Sequence, residues 1–82
     1  MITIKVLGSG CANCVNLEKA VTRAAQAKGI ESKIEKITDY AEIMKYSVLS
    51  TPGLVVDERV VSSGRIPTAA EIEGWLEAAA RP

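Results

Sequence analysis

Apolar and polar residues alternate along residues 2–7, which predicts a first strand. From Cys11 onward, apolar residues recur at three- and four-residue spacing, which predicts a helix that ends at Gly29. Residues 31–37 follow that helix stop directly and are too few for a typical helix, so they predict a second strand.

The second half of the chain predicts two more strands between two helices. A capping pattern that starts at Asp39 predicts a short helix ending near Tyr46. Residues 54–56 and 59–62 predict a hairpin, although its turn lacks the glycine of the commonest two-residue hairpins. A second capping pattern and an apolar stripe predict a last helix over 68–80.

The resulting order, β-α-β-α-β-β-α, predicts a single α/β domain over residues 1–82. A first βαβ unit is expected to be parallel, with a right-handed crossover, and the closing hairpin antiparallel. We therefore expect a four-stranded mixed sheet with helices on both faces, and a chain of this size supports one core.

Composition excludes several classes of function. Ten Lys and Arg balance ten Asp and Glu, so the basic excess of a nucleic-acid-binding or polybasic membrane-binding protein is missing. The chain has no His, which excludes Ser-His-Asp and Cys-His catalysis within it. No apolar run reaches the ~20 residues of a membrane span, and the N-terminal residues do not resemble a signal peptide. We therefore expect a cytoplasmic protein without membrane contact.

The chain has two cysteines, Cys11 and Cys14, separated by Ala12 and Asn13. A disulfide that closes so short a loop adds little stability, which leaves thiol redox chemistry or binding of a soft metal ion. Cys11 is expected at a helix N-terminus, where unpaired N–H groups and the helix dipole favour the thiolate. Cys14 falls nearly one turn later on the same face, within disulfide range. We expect Cys11 to be the exposed attacking thiol and Cys14 the buried resolving thiol.

Three segments make the chain resemble the small thioredoxin- and glutaredoxin-like redox-active disulfide proteins: Gly8-Ser9-Gly10-Cys11-Ala12-Asn13-Cys14, Thr51-Pro52-Gly53-Leu54-Val55-Val56-Asp57 and Ser62-Ser63-Gly64-Arg65-Ile66-Pro67. The resemblance implies a minimal thioredoxin fold with sheet order 2-1-3-4 and a cis Thr51–Pro52 peptide bond beside the cysteines. It also implies a monomeric dithiol–disulfide oxidoreductase that acts through a mixed disulfide. Such a protein needs no metal and no cofactor besides its Cys11–Cys14 disulfide.

The resemblance further implies a substrate groove formed by Gly10, Ala12, Asn13, Thr51, Pro52, Gly64 and Arg65. Thr51 matches the residue whose backbone pairs with a substrate peptide, and Gly64 matches a glycine that shapes the third wall. Arg65 has two interpretations, a solvated loop charge or a cation that meets an acidic group on a partner. The implied partners are a disulfide-bearing target protein and, as electron donor, a flavoprotein of the thioredoxin-reductase type. The last helix lacks the acidic opening of glutaredoxins, so we expect glutathione to bind weakly or not at all.

Lys5 departs from the thioredoxin pattern, because it stands six residues before Cys11, where thioredoxins carry a buried acid. It is interpreted either as a rim lysine that reaches water or as a cation beneath the cysteines that lowers the pKa of a thiol.

The cysteine segment also resembles the heavy-metal-associated domain of copper chaperones, which bind Cu(I) through two thiolates. Three features oppose that alternative. Ser9 stands where the copper motif normally has Met, and the predicted order ends on a helix, whereas the copper fold ends on a strand. The copper fold also needs no Thr-Pro beside the cysteines. A zinc site of four thiolates from two chains is a third alternative.

Overall fold

The structure is a computed structural model that describes residues 2–8, 12–47 and 51–80. Within these residues seven elements follow in the predicted order: β1 (Ile2–Leu7), α1 (Ala12–Ala27), β2 (Ser32–Ile37), α2 (Tyr40–Met44), β3 (Gly53–Val56), β4 (Arg59–Ser63) and α3 (Ala69–Ala80). The boundaries lie within two residues of the prediction. Cys11, the residue predicted to begin α1, lies outside the described residues.

The four strands form one mixed sheet in the order β2-β1-β3-β4, as expected. β1 pairs with β2 in parallel and with β3 antiparallel, and β3 and β4 form the antiparallel hairpin with an irregularity between Leu54 and Val55. Because β1 and β3 lie in the centre of the sheet, both of their faces need cover. All four residues of β3 are accordingly buried.

The main core lies between the sheet and the helix pair α1 and α3. The alternation of β1 sends Ile4 into this core, where it meets Leu17 of α1 and Leu76 of α3, all three fully buried. Trp75, predicted on the apolar stripe of the last helix, is partly buried against the same cluster. None of the described helices is long and apolar enough to cross a membrane.

The opposite face of the sheet is covered by α2. Leu7 and Val55 of the central strands pack there with Ile43 of α2, and Tyr46 is partly buried against them. Asp39 caps α2, since its side chain accepts a hydrogen bond from the N–H of Ala41 at 2.9 Å. α2 therefore covers the face that carries the side chain of Lys5.

The β3–β4 turn reaches a left-handed conformation without glycine. Asp57 and Glu58 have φ angles of 48° and 68°. Asp57 is tied to the start of β1, because its N–H donates to the carbonyl of Thr3 at 2.8 Å and its side chain accepts from the N–H of Thr3 at 3.0 Å. These two hydrogen bonds help to hold a turn that Asp tolerates but Glu rarely adopts.

Candidate active site

The site begins where β1 ends. Gly8 follows β1 directly, is buried, and donates its N–H to the carbonyl of Ile37 at 2.9 Å. This hydrogen bond extends the pairing of β1 and β2 by one residue. On the other side of the cysteine motif, α1 begins at Ala12.

Cys14 lies in the first turn of α1 and is 6% exposed, as expected for the more buried of the two cysteines. It takes part in a disulfide bond. Its Sγ atom occupies the space that a side chain at position 8 would fill, so Gly8 and the sulfur are in direct contact. Cys11 and Gly10 lie outside the described residues, so the attacking role of Cys11 stays a prediction.

Thr51 and Pro52 lie beside this contact. A Cβ atom placed on Gly8 would be 3.8 Å from the Cβ of Thr51. The Thr51–Pro52 peptide bond is cis, the geometry that the resemblance implies. Thr51 is exposed and Pro52 is buried, so the residue before the proline is open to a partner while the proline packs into the fold.

Gly64 lies at the same end of the sheet. Its N–H donates to the carbonyl of Pro52 at 3.0 Å, and its φ angle of 75° is one that glycine adopts without strain. The structure therefore brings Cys14, Thr51, Pro52 and Gly64 together at the end of the sheet where β1 stops. Ala12 and Asn13, also predicted groove residues, are exposed on the first turn of α1.

Arg65 has an acidic partner within its own chain. Its Nη1 and Nη2 atoms donate to the two carboxylate oxygens of Glu71 at 3.0 and 2.8 Å. Glu71 also completes the predicted capping box with Thr68, accepting from the backbone N–H of Thr68 at 3.0 Å and donating its own N–H to Oγ1 of Thr68 at 3.2 Å. Arg65 and then Thr68 lower the pKa of Glu71 to about 2. Neither interpretation of Arg65 from the sequence included this ion pair.

Lys5 also has partners within the chain. Its Nζ donates to Glu58 at 2.6 Å and to the hydroxyl of Tyr46 at 2.7 Å, and that hydroxyl donates to the second oxygen of Glu58 at 3.1 Å. The hydrogen bond to Glu58 and then the one to Tyr46 raise the pKa of Lys5. The same bond to Lys5 lowers the pKa of Glu58. Glu58 lies in the turn at the end of the sheet away from Gly8, and an effect of Lys5 on a cysteine stays a prediction.

A small cavity of about 30 Å³, large enough for a water molecule, adjoins the buried cysteine. Its lining residues are Val6, Gly8, Cys14, Val15, Lys36 and Thr38. Sequence reasoning missed Lys36 and Thr38 here. The predicted parallel pairing of β1 with β2 could have identified them, because that register sets Lys36 opposite Val6, two residues before Gly8.

The surface around the site is partly apolar. Val15 of α1 and Ile66 of the β4–α3 loop are both exposed large hydrophobic residues. Val15 directly follows Cys14, and Ile66 lies two residues after Gly64. Among the described residues, no three His, Cys, Asp or Glu side chains group as ligands for a metal ion.

The sheet order, the two layers of helices and the position of Cys14 beside Thr51 and Pro52 define a protein of the thioredoxin class. The chain matches the thioredoxin domain family over residues 2–77 and belongs to this family. The copper-chaperone alternative is not supported, because β3 and β4 are consecutive strands followed by a final helix.

Two similar proteins are archaeal thioredoxins. One, from Methanocaldococcus jannaschii, is 36% identical over 77 residues, which cover 94% of this chain and 88% of that protein. The other, from Methanothermobacter thermautotrophicus, is 37% identical over 76 residues, which cover 93% of this chain and 99% of that protein. Both support thiol–disulfide oxidoreductase activity as the general function.

Solved structures of more distant thioredoxins share the fold. The germline-specific thioredoxin Deadhead of Drosophila melanogaster superimposes with a TM-score of 0.64 at 18% identity, covering 94% of this chain and 79% of that one. The oxidised thioredoxin of Plasmodium falciparum superimposes with a TM-score of 0.63 at 14% identity, covering 98% of this chain and 82% of that one. The predicted fold class is thus confirmed.

Proposed function

We propose that the protein reduces disulfide bonds in other proteins through Cys11 and Cys14. The observation that carries this proposal is the position of Cys14, buried in the first turn of α1 with its sulfur against Gly8 and next to the exposed Thr51. Membership of the thioredoxin family supports the same chemistry. The Cys11–Cys14 disulfide serves as the redox group, with no other cofactor.

The reaction proceeds in two thiol–disulfide exchanges. The Cys11 thiolate attacks one sulfur of the target disulfide, so a mixed disulfide forms and the second target sulfur leaves as a thiolate. The Cys14 thiolate then attacks the Cys11 sulfur and releases the first target sulfur. The target gains two electrons and, on protonation, becomes a dithiol, while the protein is left with a Cys11–Cys14 disulfide. Cys14 is assigned the second step because its burial shields it from a bulky target.

The target segment lies along Thr51 in this proposal. Thr51 is exposed, whereas Pro52 is buried and its carbonyl is occupied by the N–H of Gly64. The proposal therefore assigns the backbone of Thr51 as the part of the protein that pairs with an extended target chain. Gly10, Ala12, Asn13, Gly64 and Arg65 complete the proposed groove.

A flavoprotein reductase of the thioredoxin-reductase type is the proposed electron donor. The opening of α3 supports this choice over glutathione. Its first-turn acid, Glu71, is already engaged by Arg65 and Thr68, so the described part of this helix start offers no free carboxylate to a glutathione amino group. A reducing compartment such as the cytoplasm, where a donor keeps the dithiol reduced, suits this chemistry.

The proposal is tested by mixing the reduced protein with a disulfide-bonded test protein and counting the thiols produced. The wild type should produce two target thiols per molecule, and turn over repeatedly when a thioredoxin-reductase-type flavoprotein and its nicotinamide donor are added. Cys11→Ser and Cys14→Ser should lose turnover. Ala27→Ser is the control, because it adds a hydroxyl at an exposed position at the other end of α1 from Cys14 and keeps both thiols.

The competing metal function is tested on the same samples. Metal analysis of the protein as purified should find no stoichiometric copper or zinc. A stoichiometric Cu(I) or zinc ion that is lost in both cysteine variants, together with absent disulfide reduction, would replace the redox proposal with a metal-carrier function.

A further inference from the structure

A neutralised ion pair stands on the wall of the proposed groove. Arg65 and Glu71 form a two-point contact, with nitrogen–oxygen distances of 3.0 and 2.8 Å. This bidentate geometry is the strongest form of arginine–carboxylate pairing. Thr68 holds the same carboxylate through its backbone N–H, so Glu71 is fixed relative to the start of α3. The two opposite charges therefore cancel at a defined place.

Arg65 directly follows Gly64, a residue of the proposed groove. The N–H of Gly64 binds the carbonyl of Pro52, the residue after the exposed Thr51. The side chains of Arg65 and Glu71 are 54% and 38% exposed, so solvent and a bound partner both reach them. In the proposed groove, a target segment that lies along Thr51 passes close to a cation and an anion together.

We propose that the Arg65–Glu71 ion pair sets the charge preference of the groove. With both charges present, the groove accepts neutral, acidic and basic target segments about equally. With either charge removed, the remaining one selects targets of the opposite sign. The inference rests on the proposed function, and it makes Arg65 a specificity-determining residue whose charge Glu71 masks.

The expected effect is moderate, because both side chains are partly in water. Two unit charges about 7 Å apart, at an effective dielectric constant of about 40–80, change a rate about three- to sevenfold. Salt should remove this effect, since the Debye length at about 1 M salt is only about 3 Å.

The test uses three synthetic peptides, each with one cysteine joined to thionitrobenzoate as a mixed disulfide and flanked by Glu, Gln or Lys. The Cys11 thiolate displaces thionitrobenzoate, whose absorbance gives the second-order rate constant, and Cys14 then releases the peptide thiol. The wild type should react with the three peptides within about twofold. Relative to the Gln peptide, Glu71→Gln should speed the reaction of the Glu peptide and slow that of the Lys peptide, each about three- to sevenfold, and Arg65→Ala should do the reverse.

The controls separate charge from structure. Gln preserves the capping box, so Glu71→Gln keeps the start of α3. The double variant Arg65→Ala/Glu71→Gln should react with the three peptides at the same relative rates as the wild type. Arg59→Ala removes a cation from the other end of β4 and should leave the ratio unchanged.

Two results would overturn the inference: a wild type that already discriminates by charge, or single variants that keep the wild-type ratio. Failure of the proposed function looks different. In that case, none of the peptides reacts with the reduced protein, or the reaction persists in Cys11→Ser.

Discussion

The contact between Gly8 and Cys14 predicts a large effect of a small substitution. Gly8→Ala places a methyl group where the Cys14 sulfur lies. The backbone conformation of Gly8 is not one that requires glycine, since the described glycines with positive φ angles are Gly29 and Gly64. The cost of the substitution therefore comes from overlap with the sulfur.

The size of the effect follows from the neighbours of the added methyl group. Both Gly8 and Cys14 are buried, so relief of the overlap requires movement of β1 or of the first turn of α1. Overpacking of this kind costs about 1–3 kcal/mol. Without the sulfur, the nearest atoms are the Cβ of Cys14 at 3.4 Å and the Cβ of Thr51 at 3.8 Å, which are ordinary contacts. In a Cys14→Ala background, Gly8→Ala should then be neutral or stabilising by up to about 1 kcal/mol.

A double-mutant cycle measures this coupling. Urea unfolding of the wild type, Gly8→Ala, Cys14→Ala and the double variant is followed under reductant, so that no protein differs in disulfide bonding. The free energies of unfolding should give a coupling of about 1–3 kcal/mol between the two positions. Gly74→Ala is the control, because position 74 lies in α3 with no atom near its missing side chain, and there alanine should stabilise by up to about 1 kcal/mol. Equal costs of Gly8→Ala in both backgrounds would refute the reasoning.

Three further predictions concern the groove wall and β4. Gly64→Ala should cost about 1–2 kcal/mol in urea unfolding, because alanine is strained at a φ of 75°; no measurable loss would contradict this reason. Ser62→Ala should stabilise the fold by about 1 kcal/mol, because the buried hydroxyl finds no hydrogen-bond partner among the described residues; destabilisation would show that the hydroxyl is paired. The pKa of Glu71 lies at about 2 in the folded chain, below its ordinary 4.5, so its stabilising effect is present above about pH 4.5 and is lost as pH falls toward 2. Glu71→Gln should flatten the fall of stability across that window, measured by urea unfolding at each pH, and an unchanged slope would contradict the ion pair.

The parts of the fold that were predictable from the sequence depend on local spacing. Alternation defined β1, the glycine after the first helix marked its end, and the capping pattern at Thr68 marked the start of α3. The burial of Cys14 was expected from its place inside the first turn of the predicted helix, shielded behind the helix end. Each of these features needs only neighbouring residues, which is why a pattern reveals them.

The Lys5–Glu58 and Arg65–Glu71 ion pairs were not predictable, because each depends on the path of a turn or loop that the sequence patterns do not define. Lys5 meets Glu58 only because the turn at Asp57 and Glu58 adopts left-handed angles without glycine. Arg65 meets Glu71 because the β4–α3 loop folds back over the start of the helix. A capping pattern contains no information on the path of the β3–β4 turn or of the β4–α3 loop. The sequence therefore suggested two roles for Arg65 and omitted the partner that the structure supplies.

The order of the two thiols is the central claim, and trapping the mixed disulfide tests it most directly. Cys14→Ser should keep the attacking thiol and lose the resolving one. Incubated with a disulfide-bonded test protein, this variant should accumulate a reductant-sensitive adduct that mass spectrometry maps to Cys11, whereas Cys11→Ser should accumulate little. Adducts mapped to Cys14, or equal trapping by both variants, would contradict the account.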